Sequence, residues 1–233
     1  MSDRPAVLLA AALERRTSPA QGRSLQEELA GTVREIRLVA APRLVAGLDV
    51  AYDLRQQLAV AAAVIVDVAT LTAVETAVAT TEVAFPYVPG LLAWRELPAL
   101  LAAWRRLSRR PDLVLCDGHG RAHPRRCGLA CMLGLMLDLP AIGCAKNLLV
   151  GRHDRLGARR GASRALIDRG EAVGRAVRTR DGVRPVYISV GHRITLDDAV
   201  SWVLRLAHYR IPEPLRLADR AAAIAHAKSD TQR

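Results

Sequence analysis

Lysine is nearly missing from this 233-residue chain: Lys146 and Lys228 are its two examples among 34 basic side chains. The net charge of +11, left by 34 basic against 23 acidic groups, is therefore carried by arginine. A basic balance of this size points to a polyanionic partner such as nucleic acid, with a membrane surface the weaker alternative. Arginine-biased codon usage would give the same composition without a functional cause, which makes Lys146 unusual by its presence. No CxxC pair occurs either. Cys116, Cys127, Cys131 and Cys144 sit in apolar runs, as small buried hydrophobes of a reducing compartment do, and this disfavours a disulfide or zinc role. No apolar run reaches the roughly 18 residues that cross a bilayer. AVLLAAAL follows Asp3 with Arg4 as its only basic flank and runs into LERR, a poor export signal, so a cytoplasmic location is expected. Internal repeats, low-complexity linkers and composition shifts are absent too. With 51% hydrophobic residues, one globular domain over residues 1–233 is the economical reading.

Ser24 and Glu27 in SLQEELAGTVREI have capping-box spacing, and Leu25, Leu29, Val33 and Ile36 share one helical face, so a first helix is predicted there. From Leu44 the pattern becomes extended. RLVAGLDVAY, LAVAAAVIVDV and LTAVETAVATTEV are valine-rich and separated by short polar turns, which predicts an antiparallel meander. FPYVPG interrupts regular structure, after which Leu97, Leu100, Leu101, Trp104 and Leu107 predict an amphipathic helix with Pro98 in its first turn. LVLC, an apolar helix opened by Pro124 and running to about Leu137, and AIGCA alternate as in a parallel α/β unit. Residues 151–184 read as arginine- and glycine-rich surface loops with a helix around Arg164 to Asp168. VYISV is the next strand, TLDD resembles a helix cap, and a short alanine-rich helix follows IPEP.

The carboxylates carry the chemistry. Asp49 lies within a strand that would normally reject it, Asp117 ends another strand, and Glu96 precedes Pro98 where a helix dipole would favour negative charge. If the first meander strand lies beside LVLC, Asp49 and Asp117 become neighbours, and two carboxylates that close need a counter-charge or a proton. A hard divalent cation such as magnesium, which accepts one or two carboxylates and keeps waters or phosphate oxygens on its other sites, would resolve the conflict. Plainer readings stand beside it: an arginine partner for Asp49, a helix cap at Glu96, a turn at Asp117. HGRAH is a weak metal motif in a loop, and His119 and His123 fit better as organisers of a site or phosphate contacts.

VAGLDVAY, PYVPGLLAWRELPALLAAW, PDLVLCDGHGRAHPRRCGLA, LPAIGCAKNLLVG, RPVYISVGHRITLDDAV and IPEPLRLAD, in this order, resemble the endonuclease V family of DNA repair enzymes. The resemblance spans roughly residues 24–222, which makes that stretch the expected core, with flexible ends. It implies an α/β, ribonuclease H-like fold: a mixed sheet in which the antiparallel three-strand meander is extended by parallel strands and flanked by helices. It also implies a magnesium-dependent endonuclease, with Mn2+ as a substitute, nicking at the second phosphodiester bond 3′ to deoxyinosine. By the same resemblance Asp49, Asp117 and Glu96 form the metal centre, and Lys146 and His123 complete the catalytic set. Tyr87, within Pro86, Val88, Pro89 and Gly90, is a strand-separating wedge, and Gly90, Leu92, Gly118, Gly128 and Gly143 surround a base pocket that Lys146 adjoins. Asp219 stands where some relatives carry histidine, and Trp94 where phenylalanine is expected.

The expected partner is DNA containing deoxyinosine, with inosine-containing RNA as the alternative and no membrane. Arg125, Arg126, Arg159 and Arg160 are candidates for a phosphate grip that does not read sequence. Rival functions are an inosine-specific endoribonuclease and a catalytically silent lesion-binding protein, which the three intact carboxylates disfavour. A general ribonuclease H would leave PYVPG and the pocket glycines without a purpose.

Overall fold

The computed structural model describes residues 4–15 and 17–231. Helices α1 (Arg4–Glu14) and α2 (Pro19–Ala30) precede strands β1 (Leu44–Asp53), β2 (Leu58–Asp67) and β3 (Ala73–Glu82). Then come α3 (Leu92–Trp104), β4 (Leu113–Cys116), α4 (Leu129–Leu137), β5 (Ala141–Ala145), β6 (Ser163–Asp168), β7 (Glu171–Val177) and β8 (Val186–His192). Two helices, α5 (Leu196–Leu206) and α6 (Glu213–Thr231), close the chain.

The valine-rich segments form the expected meander, and the aspartates that end its strands fold the connections. Asp53 accepts hydrogen bonds from the backbone of Arg55 and Gln56, both at 2.9 Å, and Asp67 does the same for Ala69 and Thr70. One eight-stranded sheet results, in the order β3-β2-β1-β4-β5-β8-β7-β6. β4 and β5 extend the meander in parallel, while β8, β7 and β6 return to antiparallel pairing. The mixed α/β architecture expected from the sequence is therefore present, with a longer antiparallel wing than expected. β2 is buried on both faces, as its unbroken apolar run requires. Ala61, Ala63 and Ile65 face the main core with α3, whereas Val64 and Val66 pack with Ala218 of α6. All four cysteines are free and buried, and burial raises the thiol pKa of Cys116 and Cys144 well above its usual value.

Local readings failed where side-chain chemistry was ambiguous. The capping box is Ser18 with Gln21 and not Ser24 with Glu27; α2 ends at Ala30, so Val33 and Ile36 lie beyond it. AVLLAAAL belongs to α1, which buries Leu9 completely, although the resemblance offered only a flexible end there. α3 starts at Leu92, so Pro98 lies inside it and Glu96 is a helical residue rather than a cap. Pro124 opens no helix: residues 124–128 form a loop and α4 begins at Leu129. The segment read as a helix near Arg164 is the first strand of a hairpin turning at Arg169 and Gly170, and α6 is 19 residues long rather than short. Among the described residues no helix is long and apolar enough to cross a membrane.

Gly47 lets α6 settle on β1, because a Cβ there would stand 2.1 Å from the Pro214 carbonyl oxygen. Gly47→Ala is expected to displace α6 at a cost of about 1–3 kcal/mol. In thermal denaturation this should appear as a Tm lower by roughly 5 °C.

His192 is 3% exposed, and its Nδ1 accepts the Arg34 backbone N–H at 3.3 Å. Burial, followed by the nearby charges of Arg34 and Arg193, lowers its pKa to about 4 against the opposing pull of Asp138. The unfolded chain therefore binds a proton near pH 6.5 that the folded chain refuses, so stability is complete above that pH and falls as pH drops toward 4. His192→Asn places Oδ1 where Nδ1 accepts, and pH-dependent melting should show a shallower acid decline than in the unsubstituted protein.

Candidate active site

β1 and β4 run parallel with Leu48 paired to Cys116, so the next residues stand side by side: Asp49 within β1, still paired to Ala62 of β2, and Asp117 just past the end of β4. The Asp117 backbone N–H reaches the Leu48 carbonyl at 3.4 Å. Glu96 arrives from α3, 9% exposed, and its Oε1 accepts from the Tyr52 hydroxyl at 3.3 Å. Lys146, just beyond β5, places Nζ 2.6 Å from Asp117 Oδ2 and 3.9 Å from Asp219 Oδ1 on α6. Five elements from distant parts of the chain thus converge on one spot.

The electrostatics show a cluster short of positive charge. Burial, then the neighbouring Asp117 charge, raises the Asp49 pKa to about 7 despite Lys146. Burial, then Asp49, raises Glu96 to about 8 against the Tyr52 hydrogen bond. Burial works against the Lys146 ammonium, but the hydrogen bond and charge of Asp117, with Asp49 and Asp219, outweigh it and leave its pKa raised. Among the described residues no three His, Cys, Asp or Glu side chains form a ready-made metal cage. A magnesium-like ion does not require one, since it takes one or two carboxylates and completes its shell with water and substrate oxygens. The donor set here is all hard oxygen, and its crowded carboxylates fit such an ion.

Beside the carboxylates lies a cavity of about 310 Å³. Tyr87, Val88, Pro89, Gly90 and Leu92 line one side, and Gly118 and Gly128 line another. Tyr87 is 71% exposed at the rim. Pro86 faces a different, smaller cavity with Phe85, Trp94 and Arg95. Gly143 lies under the loop instead of in the cavity wall: a Cβ there would stand 2.6 Å from the Gly118 oxygen and the Gly120 nitrogen. Its role in the structure is to let the DGHG segment rest on β5.

Both nitrogens of His123 are occupied, Nε2 against the Gly90 carbonyl at 2.9 Å and Nδ1 accepting from the Arg125 backbone at 3.2 Å. His119 Nε2 meets the Asn147 carbonyl at 3.1 Å. Burial lowers the pKa of each to about 4, so both rings are neutral at physiological pH. Of the candidate phosphate arginines, Arg126 is held by Asp168 and Glu171, and Arg160 by the carbonyls of Thr179 and Leu204. Arg125 bonds Gln26 and Gly90. Arg159 alone of the four makes no such bond among the described residues. The sequence reading missed Gln26, Asn147, Leu148 and Leu149 in the cavity wall. The proximity of the last three to Lys146 in CAKNLL was their only signal. A larger cavity, about 700 Å³, lies between α1, α2 and α4 and is lined by none of Asp49, Glu96, Asp117 and Asp219.

A family model described as Endonuclease V matches residues 27–220. Endonuclease V of Roseiflexus castenholzii is 48% identical over 204 residues, covering 87% of this chain and 91% of that protein. The crystal structure of Endonuclease V from Streptomyces avermitilis superposes with a TM-score of 0.87 at 47% identity, covering 91% of this chain and 95% of the other. Endonuclease V of Ciona intestinalis, solved in complex with a 24mer DNA containing an inosine followed by a ribo-adenosine, gives a TM-score of 0.79 at 25% identity and covers 90% of this chain and 98% of its own. Matched over most of its length by both sequence and structure, the chain belongs to the endonuclease V family.

Proposed function

We propose that this protein is a magnesium-dependent DNA repair endonuclease that nicks the strand at the second phosphodiester bond 3′ to deoxyinosine. The products are 3′-hydroxyl and 5′-phosphate ends, with the lesion left in the nicked strand. The observation that carries this reading is the in-register placement of Asp49 and Asp117 beside a cavity whose rim bears an exposed tyrosine. The DNA complex of the Ciona relative supports the substrate class.

Asp49 and Asp117, with Glu96 behind them, would hold Mg2+, or Mn2+ in its place. Such an ion supplies Lewis-acid polarisation of the phosphate and a more acidic water. The chain's own groups do the rest. Lys146, pinned by Asp117, offers a positive charge where the leaving oxygen develops its negative one. The Tyr87 ring can occupy the stack vacated by the lesion, and the cavity can take the extruded base. Its walls are largely apolar side chains and backbone, with His119 and His123 kept neutral. His123 acts here by fixing Gly90, since neither of its nitrogens is free to move a proton.

A duplex with one deoxyinosine, incubated with magnesium, is expected to be nicked once, at the second bond 3′ to the lesion. Asp117→Ala should slow that step on the order of a thousandfold, equivalent to several kcal/mol. Absence of nicking, or nicking unaffected by the substitution, overturns the reading. A matched inosine-containing RNA is expected to be cut more slowly, and faster cutting of RNA would make the protein an endoribonuclease.

Tyr87→Ala should weaken binding to the inosine duplex by ~1 to 3 kcal/mol, the worth of one lost stacking contact. Single-stranded inosine DNA needs no strand separation and should lose less, which paired titrations of the two substrates will show.

A further inference from the structure

Resting on the reading of the 310 Å³ cavity as the seat of the displaced base, we propose that Arg125 and Gln26 are positioning residues. They hold the cavity rim in place for inosine through a hydrogen-bond chain that runs from half-buried Arg125 to buried Gln26, and Arg125 is not part of the phosphate grip.

The rim segment is tied at both ends. Arg95 Nη1 donates to the Phe85 carbonyl at 3.0 Å, and the Arg95 guanidinium lies 4.7 Å from the centre of the Tyr52 ring. At the other end the Gly90 carbonyl accepts two bonds, from Arg125 Nη2 at 2.6 Å and His123 Nε2 at 2.9 Å. Gly90 has φ +76°, a conformation that directs its carbonyl to this pair and that other residues rarely adopt. Between the ties, the Leu91 N–H closes a turn onto the Val88 carbonyl at 2.9 Å. Tyr87 and Val88 therefore project from a braced loop.

The brace extends inward. Arg125 Nε donates to Gln26 Oε1 at 2.9 Å, and Gln26 Nε2 donates to the Cys127 carbonyl at 2.8 Å. Gln26 is 1% exposed and Cys127 is fully buried. If Arg125 swung out to a phosphate, Gln26 Oε1 would be left buried without a donor and the Gly90 carbonyl would lose its charge-assisted bond, both unfavourable. The half-buried arginine is thus committed to Gln26 and Gly90. Because the chain ends on the wall that would touch the base, its loss should weaken lesion capture while leaving sequence-independent binding intact. Bracing the rim before the ligand arrives reduces the ordering cost of binding.

Arg125→Lys separates the possibilities, since lysine keeps the charge for a phosphate but cannot bond Gln26 and Gly90 together. Single-turnover nicking of an inosine duplex, measured against enzyme concentration with magnesium, gives a half-saturation value and a maximal rate. An unmodified duplex used as competitor gives an inhibition constant, and both are repeated over a salt range. We expect Arg125→Lys to raise half-saturation about tenfold, as for loss of a charge-assisted hydrogen bond, with the maximal rate, the competitor constant and the salt slope unchanged. Gln26→Leu should shift the same quantity in the same direction, and Gln26→Glu, which keeps the acceptor for Arg125 but loses the donor to the Cys127 carbonyl, should recover part of it. Half-saturation unchanged in Arg125→Lys, or rising in step with the competitor constant, overturns the inference, as does a lower melting temperature with all constants preserved. Gln26→Leu is a buried substitution, and if it does not fold, Arg125→Lys still decides. Failure of the unsubstituted protein to nick the inosine duplex is a separate result, which removes the proposed function and this inference with it.

Discussion

The parallel pairing of β1 with β4 is the constraint on which the site depends. It sets Asp49, midway along β1, beside Asp117 at the end of β4, in a position too enclosed for both to ionise freely. Glu96 adds a third carboxyl from α3, and a single ammonium, Lys146, is drawn against Asp117. The surrounding fold resists this arrangement energetically, since burial favours the neutral acid at Asp49 and Glu96. A cluster that holds more acid than its own cations can balance is suited to capturing a divalent ion together with a phosphate, which is the chemistry proposed for it.

Strong net positive charge does not translate directly into a DNA-binding surface. Arg126 is bound into an ion-pair network that fastens the β6–β7 hairpin to the loop after β4, and Arg160 ties backbone carbonyls together. Arg125 braces the rim of the cavity. Arginine is suited to this work because its planar fork can satisfy several carbonyls and carboxylates at once. Much of the arginine in HPRR therefore organises the loop that carries the site, leaving contact with phosphate to more exposed side chains.

How much could be read in advance depended on the kind of signal. The meander was legible because valine-rich runs alternate with polar turns, and Asp49 and Asp117 were legible because carboxylates stand out against apolar strands. Glu96 and Lys146 stood out by residue type, and motif resemblance gave them their roles and named Tyr87. Local cues did worse at helix ends: Ser24 had the spacing of a cap although Ser18 caps α2, and the proline in HPRR resembled a helix start although the chain there forms a loop. The β6–β7 hairpin was hidden by arginines on its exposed face, which masked the alternation that buries Leu166, Val173 and Ala176.

The sequence alone determined the mixed α/β class, the set of acidic residues and the family resemblance, because these rest on residue type and order. Tertiary structure decided which side chains meet. Strand register put Asp49 beside Asp117, the approach of β5 brought Lys146 to them, and packing of α2 against the loop before α4 joined Gln26 to Arg125 across 99 residues of chain. Contacts of that kind follow from how buried polar groups find partners within a three-dimensional core, and no local pattern in the chain encodes the choice.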